Sequence, residues 1–129
     1  MTTWLNLISV AAGGAIGSVA RYLITLVSMA IPGGSTMLGT TIANVLGCAA
    51  IGAMFEYSIV EGVVSERMQL AIRVGFLGGL TTFSAFAFES AALAGSGRWP
   101  LSGLYVAANL LIGWAALVTA AALVKGWMT

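Results

Sequence analysis

Long stretches of the chain carry no charged residue. Charges are absent from residues 1–20, 22–55, 74–88 and 99–124. A membrane-spanning helix requires about 20 mostly apolar residues, and Pro32-Gly33-Gly34 divides the second stretch with a turn signal that also stops helices. The pattern therefore predicts four spanning helices, over residues 4–31, 37–55, 68–93 and 100–124.

Composition agrees with a protein that lies within the membrane. Of the 129 residues, 60% are hydrophobic and 7% are charged, whereas soluble domains carry roughly 25% charged residues. Pro100 suits the first turn of a helix, and tryptophans near the helix ends suit the membrane interface. We expect an all-α integral membrane protein with a single four-helix transmembrane domain over residues 1–129, which crosses a cell membrane several times.

The start of the chain has a second interpretation, as a cleaved signal peptide. Ser18-Val19-Ala20 has the small-x-small spacing of a cleavage site. No Lys or Arg precedes the apolar run, however, and the apolar residues continue past Arg21. We therefore interpret residues 4–31 as a helix of the mature protein.

The charges that flank the helices give only a weak preference for one orientation. Arg67, Arg73 and Lys125 would share a side with the N-terminus, Arg98 would lie on the other side, and Arg21 falls within the first helix. Three charges against one or two is a weak positive-inside bias. Either a few charges orient the chain normally, or it inserts both ways and pairs antiparallel. Four helices enclose little alone, so we expect a dimer in both cases.

The residue types of common enzyme sites are missing. The sequence has no His and no Asp, and Cys48 is its single cysteine. Catalytic triads, thiolate metal clusters and an internal disulfide framework are therefore excluded. We predict that the protein is not an enzyme.

Small and polar residues recur at helical spacing. Gly13 and Gly17 in the first helix, and Gly39, Ala43 and Gly47 in the second, predict close helix contacts. The neighbouring face of the second helix carries Thr40 and Asn44, and one face of the fourth carries Tyr105, Asn109 and Gly113. Hydrogen bonds between helices, worth about 0.6 kcal/mol each, are one interpretation. A path for a polar solute is the other, and amides on two helices favour it.

The third predicted helix contains the stretch GFLGGLTTFSAFAFE, residues 75–89. Gly78-Gly79 followed by Thr81-Thr82 is poor helix material and predicts a break, which membranes tolerate only where the freed backbone is buried or lines a cavity. Freed carbonyls can bind a small hard cation. Phe83 and Phe86 lie beyond the break, and their positive ring edges can face an anion. Ordinary packing is the alternative for both rings.

Arg21 and Glu89 are the two charged residues placed well inside a predicted span. Ionisable groups within a membrane are functional or paired by default. Their pairing with each other cannot be read from the sequence, and we interpret both as buried structural residues.

Three motifs together resemble the Fluc/CrcB family of fluoride channels. Residues 75–89 resemble the family's third-helix signature, residues 13–22 (GGAIGSVARY) its first-helix motif, and residues 39–47 (GTTIANVLG) its second. The resemblance implies an antiparallel, dual-topology homodimer with two pores that export cytoplasmic fluoride passively. It also implies a central structural sodium ion (Na+), bound by the main-chain carbonyls of Gly78 and Thr81 of each subunit.

The resemblance further implies which side chains line the pore. Asn44 would hydrogen-bond fluoride, Phe83 and Phe86 would be the pore phenylalanines, and Tyr105 would head a polar track on the fourth helix. Thr40 and Asn109 join this set through the helix faces they share with Asn44 and Tyr105. The family often has hydroxyl residues at positions where this chain has Ala85, Ala87, Asn109 and Gly113.

Two other functions remain open at the level of sequence. A small multidrug-resistance type of proton-coupled exporter also has four helices and dual topology, but it uses a glutamate in the first helix, which this chain lacks. A non-conducting subunit of a membrane assembly is the third possibility. As partners we expect fluoride, a second copy of the chain and the lipid bilayer, and no nucleic acid.

Overall fold

The computed structural model of the protein describes residues 2–61 and 64–128. Within them the chain forms four helical spans, and the third is broken. The first is α1 (Thr2–Ala30) and the second α2 (Thr36–Glu61). The third consists of α3, which runs through Glu66–Gln69, a wider π-helical stretch at Leu70–Leu77 and Gly78–Leu80, and of α4 (Phe83–Gly95). The fourth, α5, runs through Trp99–Ala107, a π-helical stretch at Ala108–Ile112 and Gly113–Met128.

The prediction of four spanning helices is confirmed. The described residues contain four helices long and apolar enough to cross a membrane: Thr3–Ala30, Thr36–Tyr57, Glu66–Gly95 and Trp99–Met128. The predicted ends were too early for α2 and α5, which continue beyond residues 55 and 124. Glu56 and Lys125 mark the edge of an uncharged run, but a charged residue does not end a helix. Of the predicted domain, residues 1, 62, 63 and 129 lie outside the described residues.

Glycines form the turn between the first and second spans and the turn between the third and fourth. Gly33 follows Pro32 with a φ of 75°, and Gly97 has a φ of 78°. Both angles lie in the left-handed region, which glycine adopts without a steric penalty. At the end of α4 the N–H groups of Gly97 and Arg98 donate to Ala94 O at 2.9 Å and Leu93 O at 3.0 Å, which closes the helix before α5 begins.

The predicted break in the third span exists, but it lies at the threonines and not at the glycine pair. Thr81 (φ −85°, ψ 155°) and Thr82 (φ −151°, ψ 120°) are extended, while Gly78–Leu80 is still helical. Gly79 has another role: a Cβ there would lie 2.6 Å from Gly14 O. The glycine therefore lets α3 approach α1, as small residues do in membrane proteins.

The predicted glycine face of α1 makes the matching contact. A methyl group on Gly13 would collide with the backbone of Ala71, and one on Gly17 with the backbone of Phe76. The second predicted ridge also packs: Gly39 lies against Thr25, and Ala43 is completely buried. Exposed apolar side chains cover the outer faces of the spans, as expected for helices that face lipid.

Candidate functional site

Asn44 of α2 binds the backbone of the break in the third span. Its Oδ1 accepts from Thr82 N–H at 2.8 Å, and its Nδ2 donates to Thr82 O at 3.2 Å. One side chain therefore satisfies both backbone groups of Thr82, as a neighbouring strand would. An extended residue at membrane depth is stable only with such partners.

The amide of Asn44 also connects the break to α5. Asn44 Nδ2 donates to Asn109 Oδ1 at 3.2 Å, and Asn109 Nδ2 donates to Thr41 Oγ1 at 3.0 Å and to Tyr105 O at 3.1 Å. Each amide nitrogen has two hydrogens, so both are engaged within the chain. Thr41 is a member of this network that was not among the predicted site residues. Its position three residues before Asn44 could have identified it, because this spacing places two helical residues on one face.

Tyr105 extends this network to Glu89. Its phenol donates to Glu89 Oε2 at 2.6 Å, and the side chains of Thr40 and Thr41 lie close to the same phenol. Thr40 and Tyr105 are both buried. A hydrogen-bonded track thus runs from the break through α2 and α5 to a carboxyl group on α4.

Three aromatic rings pack against one another at steep angles beside the track. The centroid of Phe86 lies 5.5 Å from that of Phe83, at an interplanar angle of 60°, and 5.6 Å from that of Tyr105, at 50°. Phe86 is 6% exposed and Phe83 is 76% exposed. The two phenylalanines therefore occupy different surroundings within one chain, although they share a helix face.

A cavity of about 380 Å³ lies at the break, and we name it the break cavity. It holds most of the predicted site residues, though not Thr40 or Tyr105. Its described lining comprises Asn44, Gly47, Cys48, Ile51, Arg73, Leu77, Gly78, Thr81, Thr82, Phe83, Phe86, Asn109 and Leu110. A larger cavity, of about 770 Å³, includes Met54, Met68 and Trp127 in its lining but none of the polar residues of the network.

A second polar cavity, of about 300 Å³, contains the two intramembrane charges, and we name it the Arg21 cavity. Its described lining comprises Ser18, Arg21, Tyr22, Thr25, Thr36, Thr40, Thr82, Ala85 and Glu89. Glu89 bonds to Tyr105, and no ion pair joins it to Arg21 within the described residues. Thr82 lines both cavities, so the break lies between them.

The break also frees main-chain carbonyls. In an uninterrupted α-helix, Gly78 O would accept from Thr82 N–H and Thr81 O from Ala85 N–H. Asn44 Oδ1 takes the first of these donors, and the Thr82 hydroxyl takes the second at 3.2 Å. Carbonyl oxygens are ligands for hard cations. The two carbonyls that the family resemblance implies as sodium ligands, those of Gly78 and Thr81, are thus two whose helical donors bond elsewhere.

Comparison with known proteins identifies the family. Residues 8–121 match the family model described as "CrcB-like protein, Camphor Resistance (CrcB)". A relative from Rhodopirellula baltica is 40% identical, over 98% of this chain and 99% of its own length. One from Nitratidesulfovibrio vulgaris is 46% identical, over 81% of this chain and 84% of its own, and one from Chlorobium luteolum is 39% identical, over 95% of each.

All three relatives carry the name "Fluoride-specific ion channel FluC". The resemblance stated from the three motifs is therefore confirmed, and it extends over almost the whole chain. Together with the four apolar spans, the matches identify a multi-pass membrane protein. The chain belongs to the CrcB-like family, whose named relatives are fluoride-specific ion channels.

Proposed function

We propose that the protein is a fluoride-selective passive ion channel. The observation that carries the proposal is the break cavity, in which two amide side chains and two phenylalanine rings meet and whose described lining contains no acidic residue. The named relatives are fluoride-specific channels, and the family consists of ion channels and not of enzymes.

Fluoride is small and strongly hydrated, so a selective path must replace its water with well-placed donors. Asn44 offers amide hydrogens that bond to neighbouring oxygens, and one of these bonds would be exchanged for the anion, while the bond to Asn109 orients the amide. The edges of Phe83 and Phe86 add a positive quadrupole without a full charge. Amides and ring edges bind fluoride without placing a cation in direct contact with it, where the cation would trap it.

The path continues through the track of Thr40, Thr41 and Tyr105 toward Glu89 and the Arg21 cavity. Thr82 separates the two cavities and bonds to Asn44 through its backbone. Neutral hydrogen fluoride crosses lipid and ionises in a less acidic cytoplasm. A passive anion path in a cell with a negative interior then carries fluoride outward.

Exposure at the break supports a dimer. Gly78 and Phe83, on either side of the break, are exposed in the single chain, and the extended Thr81 is only partly buried; irregular backbone does not face lipid within a membrane. A second copy would cover this surface. Together with the weak charge bias, this favours an antiparallel homodimer with two pores.

Labelling of a single cysteine near the C-terminus, in a Cys48→Ser background, should find the C-terminus on both sides of the membrane. Labelling from one side alone would overturn the dual topology.

A structural sodium ion would fit the freed carbonyls of Gly78 and Thr81, two from each subunit. Sodium is a hard cation that binds oxygen, and it would hold the two breaks together at the dimer centre. No group of three His, Cys, Asp or Glu side chains lies together in the part of the chain that the structure describes, so the fit rests on main-chain oxygens. Exhaustive sodium removal, continued long enough for a slowly exchanging site to empty, should abolish efflux. Unchanged efflux would contradict an essential ion.

Fluoride efflux from proteoliposomes tests the function. With a fluoride electrode, purified protein should give fast efflux driven by the fluoride gradient and insensitive to a proton gradient. Efflux that requires a proton gradient would indicate the exporter instead, which the relatives do not favour and whose first-helix glutamate is missing. No efflux would indicate the non-conducting subunit.

A further inference from the structure

Arg73 is the one charged side chain in the described lining of the break cavity. It belongs to the π-helical stretch Leu70–Leu77 of α3, and its side chain is exposed. It lies eight residues before Thr81, about 12 Å along the helix axis at the usual rise per residue. It takes no part in the hydrogen-bonded track or in the proposed sodium site.

The charge of Arg73 is not neutralised by a bound partner. Among residues 2–61 and 64–128, no ion pair or hydrogen bond engages its guanidinium. Glu66 and Gln69 share with it a neighbouring cavity of about 300 Å³, but Glu66 is not paired with it. The Arg21 cavity differs, because there a glutamate shares the space with the arginine.

We propose that Arg73 concentrates anions at the mouth of the break cavity, and so sets the fluoride concentration at which efflux is half-maximal. The inference rests on the proposed channel function and adds a residue to it. Arginine stays charged at any accessible pH, and a single-sign charge at a cleft raises the local concentration of counter-ions. Arg73 forms no hydrogen bond with Asn44 or Asn109, so it attracts fluoride without being a member of the hydrogen-bonded track.

Screening by salt distinguishes this role from packing. The Debye length is about 30 Å at 0.01 M and about 3 Å at 1 M ionic strength. The attraction therefore reaches the cavity in dilute salt and vanishes in concentrated salt. Fluoride efflux should be measured in liposomes of uncharged phosphatidylcholine, with an impermeant salt setting the ionic strength. The variants are Arg73→Gln, Arg73→Lys and, as a matched control, Arg67→Gln, because Arg67 also lies in α3 but lines neither polar cavity.

In dilute salt, Arg73→Gln should raise the half-saturating fluoride concentration roughly three- to tenfold, with the maximal rate unchanged. Arg73→Lys should resemble the wild type, and Arg67→Gln, whose charge lies farther from the cavity, should shift the half-saturating concentration less than Arg73→Gln does. At high ionic strength all four proteins should agree. The wild type gives a test without any substitution, because its half-saturating concentration should rise several-fold with salt.

Three results would overturn the role of Arg73 and leave the channel function standing. The half-saturating fluoride concentration of the wild type could prove independent of salt, or that of Arg73→Gln could equal it in dilute salt. Arg73→Gln could also lose fluoride affinity equally at both ionic strengths, with no recovery in Arg73→Lys. A wild-type protein without fluoride efflux would overturn the proposed function as well.

Discussion

The third and fourth spans both carry polar groups at mid-depth, but the third is broken there and the fourth is not. The helix of the third span is interrupted at Thr81-Thr82, where both residues are extended. α5 holds Tyr105 and Asn109 and still runs without interruption from Trp99 to Met128. Polar residues at this depth therefore accompany a broken helix in the third span and a continuous helix in the fourth.

The fourth span accommodates its amide locally. Asn109 Nδ2 donates to Tyr105 O, four residues earlier in the same helix, and to Thr41 of α2. Asn109 lies in the π-helical stretch Ala108–Ile112, where the helix is wider for about one turn. Such stretches are common at functional sites. The polar groups that α5 presents to its neighbours are therefore side chains.

The third span presents its backbone. Thr82 offers its N–H and C=O to Asn44, and the carbonyls of Gly78 and Thr81 lose their helical donors. The broken helix thus presents carbonyl oxygens that have lost their helical donors, and it places aromatic rings just beyond the break. We infer that ion binding depends mainly on the third span, and that the fourth span orients Asn44.

The largest expected effect belongs to the phenylalanines of the third span. Phe86→Ile and Phe83→Ile remove the ring quadrupole but keep much of the apolar bulk, and such exchanges usually cost under about 1.5 kcal/mol of stability. If the rings bind fluoride, efflux should fall by roughly 100-fold or more, as loss of a dedicated charge-stabilising group does. The dimer should stay monodisperse by gel filtration.

Leu110→Ile is the matched control, because Leu110 lines the same cavity from the fourth span. It should conduct as the wild type does. Wild-type efflux from both phenylalanine variants would assign the rings to packing and remove the distinction between the spans.

The elements of the fold could be predicted from uncharged runs and turn residues, since lipid leaves few alternatives to a helix. The position of the break could not. Gly78-Gly79 has the poorest helix propensity, but the contact of Gly79 with Gly14 keeps the pair helical. The extended Thr82 is instead held by a partner on another span, Asn44, and the local sequence does not contain that partner.

Several residues that line the break cavity could be predicted from the sequence, but the hydrogen bonds between them could not. Asn44, Asn109, Phe83 and Phe86 were identified by helical spacing and resemblance, and they line one cavity. The engagement of both Asn44 hydrogens by Thr82 and Asn109 depends on how three spans pack, which spacing along one helix does not determine. The same holds for Glu89, whose described partner is Tyr105 and not Arg21.

Alanine at the two asparagines compares the spans directly. Asn44→Ala leaves the Thr82 backbone unsatisfied and should cost about 2–4 kcal/mol, since each buried group left unpaired costs about 1–3 kcal/mol. Efflux should be lost. Asn109→Ala removes a partner of side chains and of a helical carbonyl, and should cost about 1 kcal/mol while efflux is reduced but measurable.

Thermal unfolding in detergent and electrode-measured efflux would check both variants. Equal losses in the two would show that the fourth span is as important to the break as Asn44 is. A stable, conducting Asn44→Ala protein would contradict its role at Thr82.

The neighbouring glycines of the third span should differ in their tolerance of a methyl group. Gly79→Ala places a Cβ 2.6 Å from Gly14 O, whereas the Cβ of Gly78→Ala finds its nearest neighbour, Arg73 O, at 3.9 Å. Overpacking usually costs about 1–3 kcal/mol, so Gly79→Ala should lower the unfolding temperature. Gly78→Ala should leave the single chain undisturbed.

A larger residue at Gly78 separates the fold from the assembly. Gly78→Leu should keep helix content, measured by circular dichroism, while dimer and sodium-dependent efflux are lost, because the exposed face of Gly78 is where we propose the second copy. A fully active Gly78→Leu dimer would place the subunit contact elsewhere.

The smallest effect is expected at Tyr105, in the intact span. Tyr105→Phe deletes the hydroxyl that donates to Glu89 at 2.6 Å but keeps the ring that packs 5.6 Å from Phe86. Loss of one hydrogen bond should cost about 1–2 kcal/mol of stability. It should slow efflux by roughly fivefold at most, since one bond that is weakly coupled to the ion changes the barrier by less than about 1 kcal/mol. Tyr57→Phe, on the exposed surface of α2, is the control and should change neither stability nor efflux. If Tyr105→Phe instead abolished efflux as completely as Phe86→Ile, the fourth span would itself supply an ion ligand, and the division of roles between a broken span that binds and an intact span that orients would be wrong.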